Sequence, residues 1–283
     1  MMKQNMNLAA WYASTLFDHP YCKIPPLLVS GVGRSGTTAL RMSLGLHPDI
    51  EYNGAENNIV MDILETGVHN CTYPSRKASM QMSQEKYDKV FRNLILAVLF
   101  PRPAVFRIMP GYWMALSDLN PRLAGYFRQL FPTVRIVYTV RNGIEVVSSR
   151  MVFDGFRKHP FDSQCEVWAK AEDMAKWGRE QDNFFLIRHE MLVDKETALQ
   201  VFTDLWSWLG LRNEHKCIDA LWSSSYHPTK FPGEDPRTSA DLRSRSLRWE
   251  FWTDDQRREF TIQCAPAMEF FGYEIPWLRR TRG

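Results

Sequence analysis

Apolar and polar positions follow two patterns along the chain, short apolar runs and longer stretches with helical spacing. The short runs, rich in β-branched or bulky residues, predict buried strands at 26–30, 104–108, 134–140 and 184–187. Between most of these runs, apolar residues recur every three or four positions, which predicts helices. Because predicted strands alternate with helices, we expect an α/β fold, a three-layer sandwich with a central parallel sheet covered on both faces.

Local start and stop signals place the helix ends. Helices are predicted from Thr37 to the His47-Pro48 pair, over 57–64, over 84–100 and after Asn120-Pro121. Later start signals are Ser163-x-x-Glu166, Asp194 and Thr253-x-x-Gln256, and Gly210 is a stop signal. The stretch from His47 to Glu56 is rich in turn-forming residues and is predicted to be a loop, and 223–246 is predicted to be irregular, a candidate lid.

Composition narrows the classes of protein that the chain can represent. Its 283 residues carry 35 Lys+Arg against 32 Asp+Glu, and this balance argues against general nucleic-acid binding. No repeat or linker divides the chain, so we expect a single domain over 1–283 with a core of about 26–273. No apolar run approaches the length of a membrane-spanning helix, and no secretory signal is evident, so a cytoplasmic location is predicted. The five cysteines form no CxxC pair and the seven histidines show no ligand spacing, so no metal site is expected.

The segment from Gly31 to Thr38, Gly-Val-Gly-Arg-Ser-Gly-Thr-Thr, joins the first predicted strand to the first helix. Glycines there allow a tight turn, and the backbone N–H groups of such a turn bind anions at a helix N-terminus. It matches GxGxxG in part, with Glu56 20 residues beyond Gly36, but the dinucleotide fingerprint needs a second strand where a loop is predicted. It also matches GxxxxGK[ST] in part, although Thr37 stands in place of the lysine that cleavage of a nucleoside triphosphate requires.

A second candidate anion motif follows the predicted strand 134–140. Arg141 stands at the strand exit, and Ser149 lies eight positions later on the following helix. The arginine fork matches phosphate oxygens, and a serine about two helical turns on reaches the same ligand only if that ligand lies along the helix face. The alternative is a surface arginine beside a solvated serine.

Together the two motifs resemble those of the sulfotransferase family that uses 3′-phosphoadenosine 5′-phosphosulfate (PAPS). The continuation through His47-Pro48-Asp49-Ile50 is similar to the tyrosylprotein and bacterial branches, and 184–194 with Leu209-Gly210-Leu211 resembles a later family element. The resemblance implies a P-loop-like sulfotransferase fold and an enzyme that transfers the sulfonyl group of PAPS in line, without a metal. The implied acceptor is a hydroxyl of a peptide tyrosine, a carbohydrate or a lipid.

The resemblance also implies a role for particular residues. Those expected to bind PAPS are Arg34, Ser35, Gly36, Thr37, Thr38, Arg141, Ser149 and Arg248, the last in a basic run with Arg243 and Arg245. Glu56 is the predicted catalytic base and Arg34 the predicted catalytic cation, with Glu51 in reserve, while His47 is interpreted as a helix-end residue. Two departures from the family pattern are Ile108, where many members have a lysine, and Gly143, where a proline is usual.

Two other classes of function stay open. The first is a P-loop nucleotide or small-molecule kinase, and the second is a nonenzymatic nucleotide-binding module. A solvated or helix-capping carboxylate is an equal alternative for Glu56. Tyr112 and Trp113 are either acceptor-lining or core residues, and the sequence leaves the acceptor and the oligomeric state open.

Overall fold

A five-stranded parallel sheet lies at the centre of the protein. The computed structural model describes residues 19–56, 58–72, 83–100, 110–116, 118–222 and 249–278. The strands are β1 (Pro26–Gly31), β2 (Ile50–Glu56), β3 (Tyr112–Leu116), β4 (Arg135–Val140) and β5 (Phe184–Arg188), in the order β2-β3-β1-β4-β5. Because all neighbours are parallel, the carboxyl ends of the strands meet at one edge of the sheet.

Helices cover both faces of this sheet, which confirms the predicted three-layer α/β fold. In the described ranges the helices are α1 (Thr37–Leu44), α2 (Asn58–Thr72), α3 (Gln84–Leu99), α4 (Pro121–Leu130), α5 (Gly143–Val152), α6 (Phe161–Ala169), α7 (Ala171–Arg179), α8 (Lys195–Leu209), α9 (His215–Trp222) and α10 (Asp254–Phe270). Helices α1, α8 and α9 build one core, and α2 to α7 with α10 build the other. β1 is buried along its whole length because both cores pack on it: Leu28 belongs to one core, and Leu27 and Val29 to the other.

Several predicted helix ends are confirmed by side-chain hydrogen bonds. The Asn120 side chain accepts from the Leu123 N–H at 2.9 Å, and Asp194 accepts from the Thr197 N–H at 2.9 Å. Thr253 and Gln256 form both bonds of a capping box at the start of α10. Gly210 ends α8 in the left-handed conformation, with φ of +69°.

The predicted loop between His47 and Glu56 is wrong, because β2 occupies its second half and pairs with β3. Pro48 and Asp49 lie in the turn that precedes the strand. Asn53 and Gly54 fall where the register with β3 shifts, between Tyr52 and Glu56. The turn-forming residues are thus accommodated by an irregularity within the strand, which the residue pattern alone does not reveal.

The capping box predicted at Ser163-x-x-Glu166 is also wrong. The N-cap of α6 is Pro160, three residues before Ser163, so the helix begins at Phe161 and has no side-chain cap. The helix predicted over 57–64 continues as α2 to Thr72. The predicted strand 104–108, with Ile108, and the candidate lid 223–246 lie outside the described residues, and the single domain over 1–283 stays a prediction. Within the part of the chain that is described, no helix has the length and apolar character needed to cross a membrane.

Candidate anion-binding cleft

The glycine-containing loop connects the carboxyl end of β1 to the amino end of α1, as the sequence predicts. Gly36, the N-cap of α1, has φ of +89°, and a Cβ there would lie 2.4 Å from Cδ2 of His189. Glycine is therefore required both by the backbone conformation and by the close approach of the imidazole. The loop is held between β1 and the turn that follows β5, at the edge of the sheet where α/β proteins bind ligands.

The strand-end motif meets this loop directly. Arg34 Nε donates to Ser149 Oγ at 3.0 Å, and Arg141 Nη1 donates to the carbonyl oxygen of Arg34 at 3.4 Å. Arg141 also forms an ion pair with Glu145, with 2.6 Å between Nε and Oε2. The two predicted anion motifs, 107 residues apart at Arg34 and Arg141, thus meet at one site at the carboxyl edge of the sheet, here called the cleft.

A third arginine that the sequence analysis did not identify lies beside the loop. Arg150 is only 6% exposed, its guanidinium stacks on Phe156 at 4.0 Å, and its Nε donates to Gln164 Oε1. Its Nη1 would be 3.1 Å from a Cβ on Gly33, so Arg150 contacts the loop closely. The available signal was its position directly after Ser149, as a cation within a helix that is otherwise largely apolar.

The arginines of the cleft raise one another's electrostatic energy. Burial, with a further contribution from Arg141, lowers the pKa of Arg34. Burial also lowers the pKa of Arg150. The charge of Asp118 opposes this shift, and the charge of Arg34 adds to it. Such a partly desolvated cluster of like charges attracts anions, because a bound anion offsets the repulsion.

The predicted PAPS-binding residues of the loop fit a ligand with an anionic group. The Ser35 hydroxyl lies in a side chain that is 1% exposed, and the described residues offer it no hydrogen-bond partner. A buried hydroxyl without a partner costs about 1–3 kcal/mol, which a ligand oxygen would offset. Thr37 and Thr38 form the first turn of α1, where the helix N-terminus favours negative charge.

The two candidate bases lie at different ends of β2. The backbone of Glu56 is at the carboxyl end, paired with Leu116, and its side chain lies outside the described part of the structure. Glu51 is at the amino end, paired with Trp113, and its charge raises the pKa of Tyr21 together with burial, the larger cause. Glu51 therefore lies at the opposite edge of the sheet from the cleft, which argues against its role as the reserve base.

The remaining candidates have structural roles or are not described. His47 is 1% exposed, its Nδ1 accepts from the Asp49 N–H at 3.1 Å, and its Nε2 lies 3.0 Å from the Arg212 carbonyl oxygen, as expected of a helix-end residue. Tyr112 and Trp113 belong to the cores, and the Tyr112 hydroxyl donates to the Leu209 carbonyl at 2.9 Å. Arg248, with Arg243 and Arg245, lies outside the described residues. Among the described residues, no group of three or more His, Cys, Asp or Glu side chains is arranged to hold a metal ion.

Because β2 ends at Glu56, the chain meets one requirement of the dinucleotide fingerprint, a second strand that ends at an acidic residue. The strand order nevertheless disagrees with that fingerprint. In dinucleotide-binding folds the second strand of the unit lies beside the first, whereas here β3 lies between β1 and β2.

Comparison with known proteins identifies the family of the chain. The family model described as "Sulfotransferase family" matches residues 25–214, so the chain belongs to the sulfotransferase family. Relatives include the protein-tyrosine sulfotransferase of Drosophila melanogaster, 26% identical over 179 residues that cover 60% of this chain and 35% of the relative. Protein-tyrosine sulfotransferase 1 of Mus musculus is 26% identical over 161 residues, covering 52% of this chain and 40% of the relative. The matched region thus spans between a third and two fifths of the length of these relatives.

A solved structure supports the fold assignment. The sulfotransferase domain of the Synechococcus olefin synthase superposes with a TM-score of 0.50 and 17% identity, covering 92% of this chain and 99% of that domain. This likeness confirms the P-loop-like sulfotransferase fold that the loop and strand-end motifs imply.

Proposed function

We propose that the protein is a sulfotransferase that uses PAPS as its sulfonyl donor and acts on an acceptor hydroxyl. The observation that carries the proposal is the meeting of the Arg34 loop with Arg141 and Ser149 in one cleft. PAPS supplies the reactive sulfonyl group and carries anionic groups at two positions of one nucleoside. A cleft lined by the two motifs has the charge that such a ligand requires.

Each group of residues has a role that follows from its position: binding of the 5′ group, binding of the 3′-phosphate, or proton transfer. The loop N–H groups, the Ser35 hydroxyl and the first turn of α1 bind the 5′ anionic group, and Arg34 neutralises charge there. Arg141 and Ser149 bind the 3′-phosphate, and Arg248 contributes from the C-terminal basic run. Glu56, at the carboxyl end of β2, accepts the proton of the acceptor hydroxyl.

A peptide tyrosine is the acceptor that the relatives favour, because those with matching sequence are named protein-tyrosine sulfotransferases. Carbohydrate and lipid hydroxyls are the alternatives. Transfer of radiolabelled sulfate from PAPS to separate peptide, glycan and lipid pools identifies the class. Exclusive labelling of glycans or lipids would contradict the tyrosine assignment.

The cytoplasmic location stays a prediction, which fractionation of the producing cells tests.

Nucleotide binding without a metal distinguishes the proposal from a kinase. Adenosine 3′,5′-bisphosphate in EDTA should raise the melting temperature, since a ligand at 100 times its Kd stabilises by about 2.7 kcal/mol. Mg²⁺-ATP should stabilise less, because Thr37 replaces the P-loop lysine. Stabilisation by Mg²⁺-ATP and not by the bisphosphate would favour the kinase. Binding of the bisphosphate without sulfonyl transfer to any acceptor pool would favour the nonenzymatic module.

The role of Glu56 is tested by Glu56→Gln. Removal of a general base should lower kcat by about 10²–10⁴-fold while the affinity for the bisphosphate is retained. Glu51→Gln is the matched control, because Glu51 is on the same strand at its amino end. Equal turnover in the Glu56→Gln and control enzymes would remove Glu56 from the mechanism.

A further inference from the structure

Glu190 lies behind the turn that carries Arg141. The residue belongs to the short helical turn His189–Leu192 that follows β5. Its Oε1 accepts a hydrogen bond from the Asn142 N–H at 2.8 Å, and its Oε2 accepts one from the Tyr273 hydroxyl at 2.8 Å. The carboxylate therefore links the exit of β4 to the segment that follows α10.

Tyr273 is itself held in place. Its backbone N–H donates to the Met268 carbonyl at 2.7 Å, and its ring stacks under the Arg188 guanidinium at 4.5 Å. Burial, followed by the charge of Glu190, raises the pKa of Tyr273, so the hydroxyl stays protonated and able to donate. One carboxylate oxygen is thus fixed by a rigid aromatic donor, which leaves the other directed at Asn142.

The turn at Arg141 and Asn142 is fixed from two sides. Trp168 Nε1 donates to the Arg141 carbonyl at 3.0 Å, and Glu190 accepts from the next N–H. Asn142 then caps α5 by accepting from the Ile144 N–H at 2.9 Å. Because both backbone contacts lie at the base of the Arg141 side chain, they set the direction in which its guanidinium leaves the sheet.

Charge alone gives Glu190 no role that would strengthen the binding of an anion. A negative charge beside a cleft that binds anions weakens binding, so Glu190 should be unfavourable if it acts through charge alone. Its two hydrogen bonds point to a geometric role instead. The two roles predict opposite changes in the affinity for the anionic nucleotide when the carboxylate is removed: an increase if Glu190 acts through its charge, and a decrease if it acts through its geometry.

We propose that Glu190, oriented by Tyr273, is a positioning residue that holds Arg141 and Ser149 in place for the 3′-phosphate of the nucleotide. The inference rests on the proposed use of PAPS. It assigns to the carboxyl end of β5 and to the segment after α10 a part in recognition of the 3′-phosphate. No local sequence motif joins the two, since Glu190 and Tyr273 are 83 residues apart.

The test measures the contribution of the 3′-phosphate alone. Calorimetry gives the affinities for adenosine 3′,5′-bisphosphate and for adenosine 5′-phosphate, and their ratio isolates that contribution. Glu190→Ala should lower the ratio by about tenfold, the loss expected when a charge-assisted hydrogen bond is removed. Tyr273→Phe, which keeps the ring and removes the hydroxyl, should lower it by about threefold. Glu190→Gln keeps an acceptor for Asn142 and should restore most of the ratio.

The control is Tyr112→Phe, which removes the hydroxyl of a buried tyrosine at the amino end of β3 and should leave the ratio unchanged. An unchanged or increased ratio in Glu190→Ala would overturn the inference, and so would an equal loss of affinity for both nucleotides. If Glu190→Ala does not fold, a retained ratio in Tyr273→Phe overturns it. If the wild-type protein binds the two nucleotides with equal affinity, the proposed function is overturned as well. A normal ratio in wild type that Glu190→Ala leaves unchanged overturns only the inference about Glu190.

Discussion

Arg34, Arg141 and Arg150 bring positive charge into a cleft where the ion pair of Arg141 with Glu145 compensates part of it. Each guanidinium is held in place by different contacts. Arg34 stacks on Phe153 at 4.3 Å, Arg141 is paired, and Arg150 stacks on Phe156 and contacts Gln164. The cations are therefore preorganised, so that little side-chain entropy is lost when an anion binds.

Arg150 should contribute to binding although neither sequence motif includes it. Arg150→Met removes the charge and keeps an unbranched apolar stem, so the affinity for adenosine 3′,5′-bisphosphate should fall about tenfold in calorimetry. Arg135→Met is the matched control, since Arg135 also stacks on an aromatic ring, Trp208, but at the amino end of β4. Equal affinities of the two variants would show that Arg150 has no part in the site.

His189 should make the stability of the protein depend on pH. Burial, then the charge of Arg141, lowers its pKa to about 4 from 6.5, while Glu190 opposes the shift. Because the unfolded chain binds the proton more readily, the contribution to stability is complete above pH 6.5 and is lost as the pH falls toward 4. Urea unfolding between pH 7 and pH 4.5 should therefore show a smaller loss of stability in His189→Gln than in wild type.

The control for this series is His159→Gln at an exposed histidine, which should keep the wild-type pH profile. An identical profile in the His189→Gln protein would refute the assignment to His189. The measurement needs no nucleotide, so it tests the burial of the imidazole against Gly36 independently of the proposed activity.

The sequence predicts the residues of the cleft that local patterns mark. Arg34, Ser35, Arg141 and Ser149 stand at strand-to-helix junctions, where backbone geometry already favours anions. Arg150 and Glu190 could not be predicted in the same way. Their roles arise from packing against Gly33 and Asn142, which are distant in sequence and come together only in the folded chain.

At the scale of elements, most end signals that depend on local hydrogen bonds are confirmed, with the Ser163 box as the exception. The strand β2, which depends on a neighbouring strand, was not predicted. Asp194, Gly210 and the Thr253 box mark ends through contacts within four residues. β2 depends instead on pairing with β3, which supplies hydrogen bonds to a segment of low intrinsic strand preference.

The capping box of α10 should have a measurable effect on stability. Thr253→Ala removes the oxygen that accepts from the Gln256 N–H, and the free energy of unfolding should fall by about 1 kcal/mol. Thr66→Ala is the control, because Thr66 is exposed within α2, where its hydroxyl donates to the Asp62 carbonyl of the same helix and does not cap a helix end. Urea unfolding followed by circular dichroism measures both. A loss at Thr66 as large as that at Thr253 would contradict the capping role.

At the scale of the whole molecule, one sheet supports two cores. Leu27 and Leu28 are adjacent on β1, both are 0% exposed, and they face opposite layers. Each layer therefore loses its support if the sheet unfolds, which couples the two cores. The predicted single domain requires this coupling.

Leu27→Ala and Leu28→Ala should each lower the free energy of unfolding by about 2–5 kcal/mol, because each leaves a cavity in a fully buried core. In both variants, tryptophan fluorescence and circular dichroism should report one coincident transition. Separate transitions, with each substitution shifting only one of them, would show that the two layers unfold independently.

Among the described residues, Arg34 is the one non-glycine residue with a positive φ, at +82°. A side chain in that conformation costs on the order of 1–3 kcal/mol, and glycine would relieve it. Selection for heat resistance alone would therefore favour the loss of this guanidinium. Variants selected for higher thermal stability should therefore also be screened for nucleotide binding, because the most stable ones can lack the guanidinium that is proposed to bind the nucleotide.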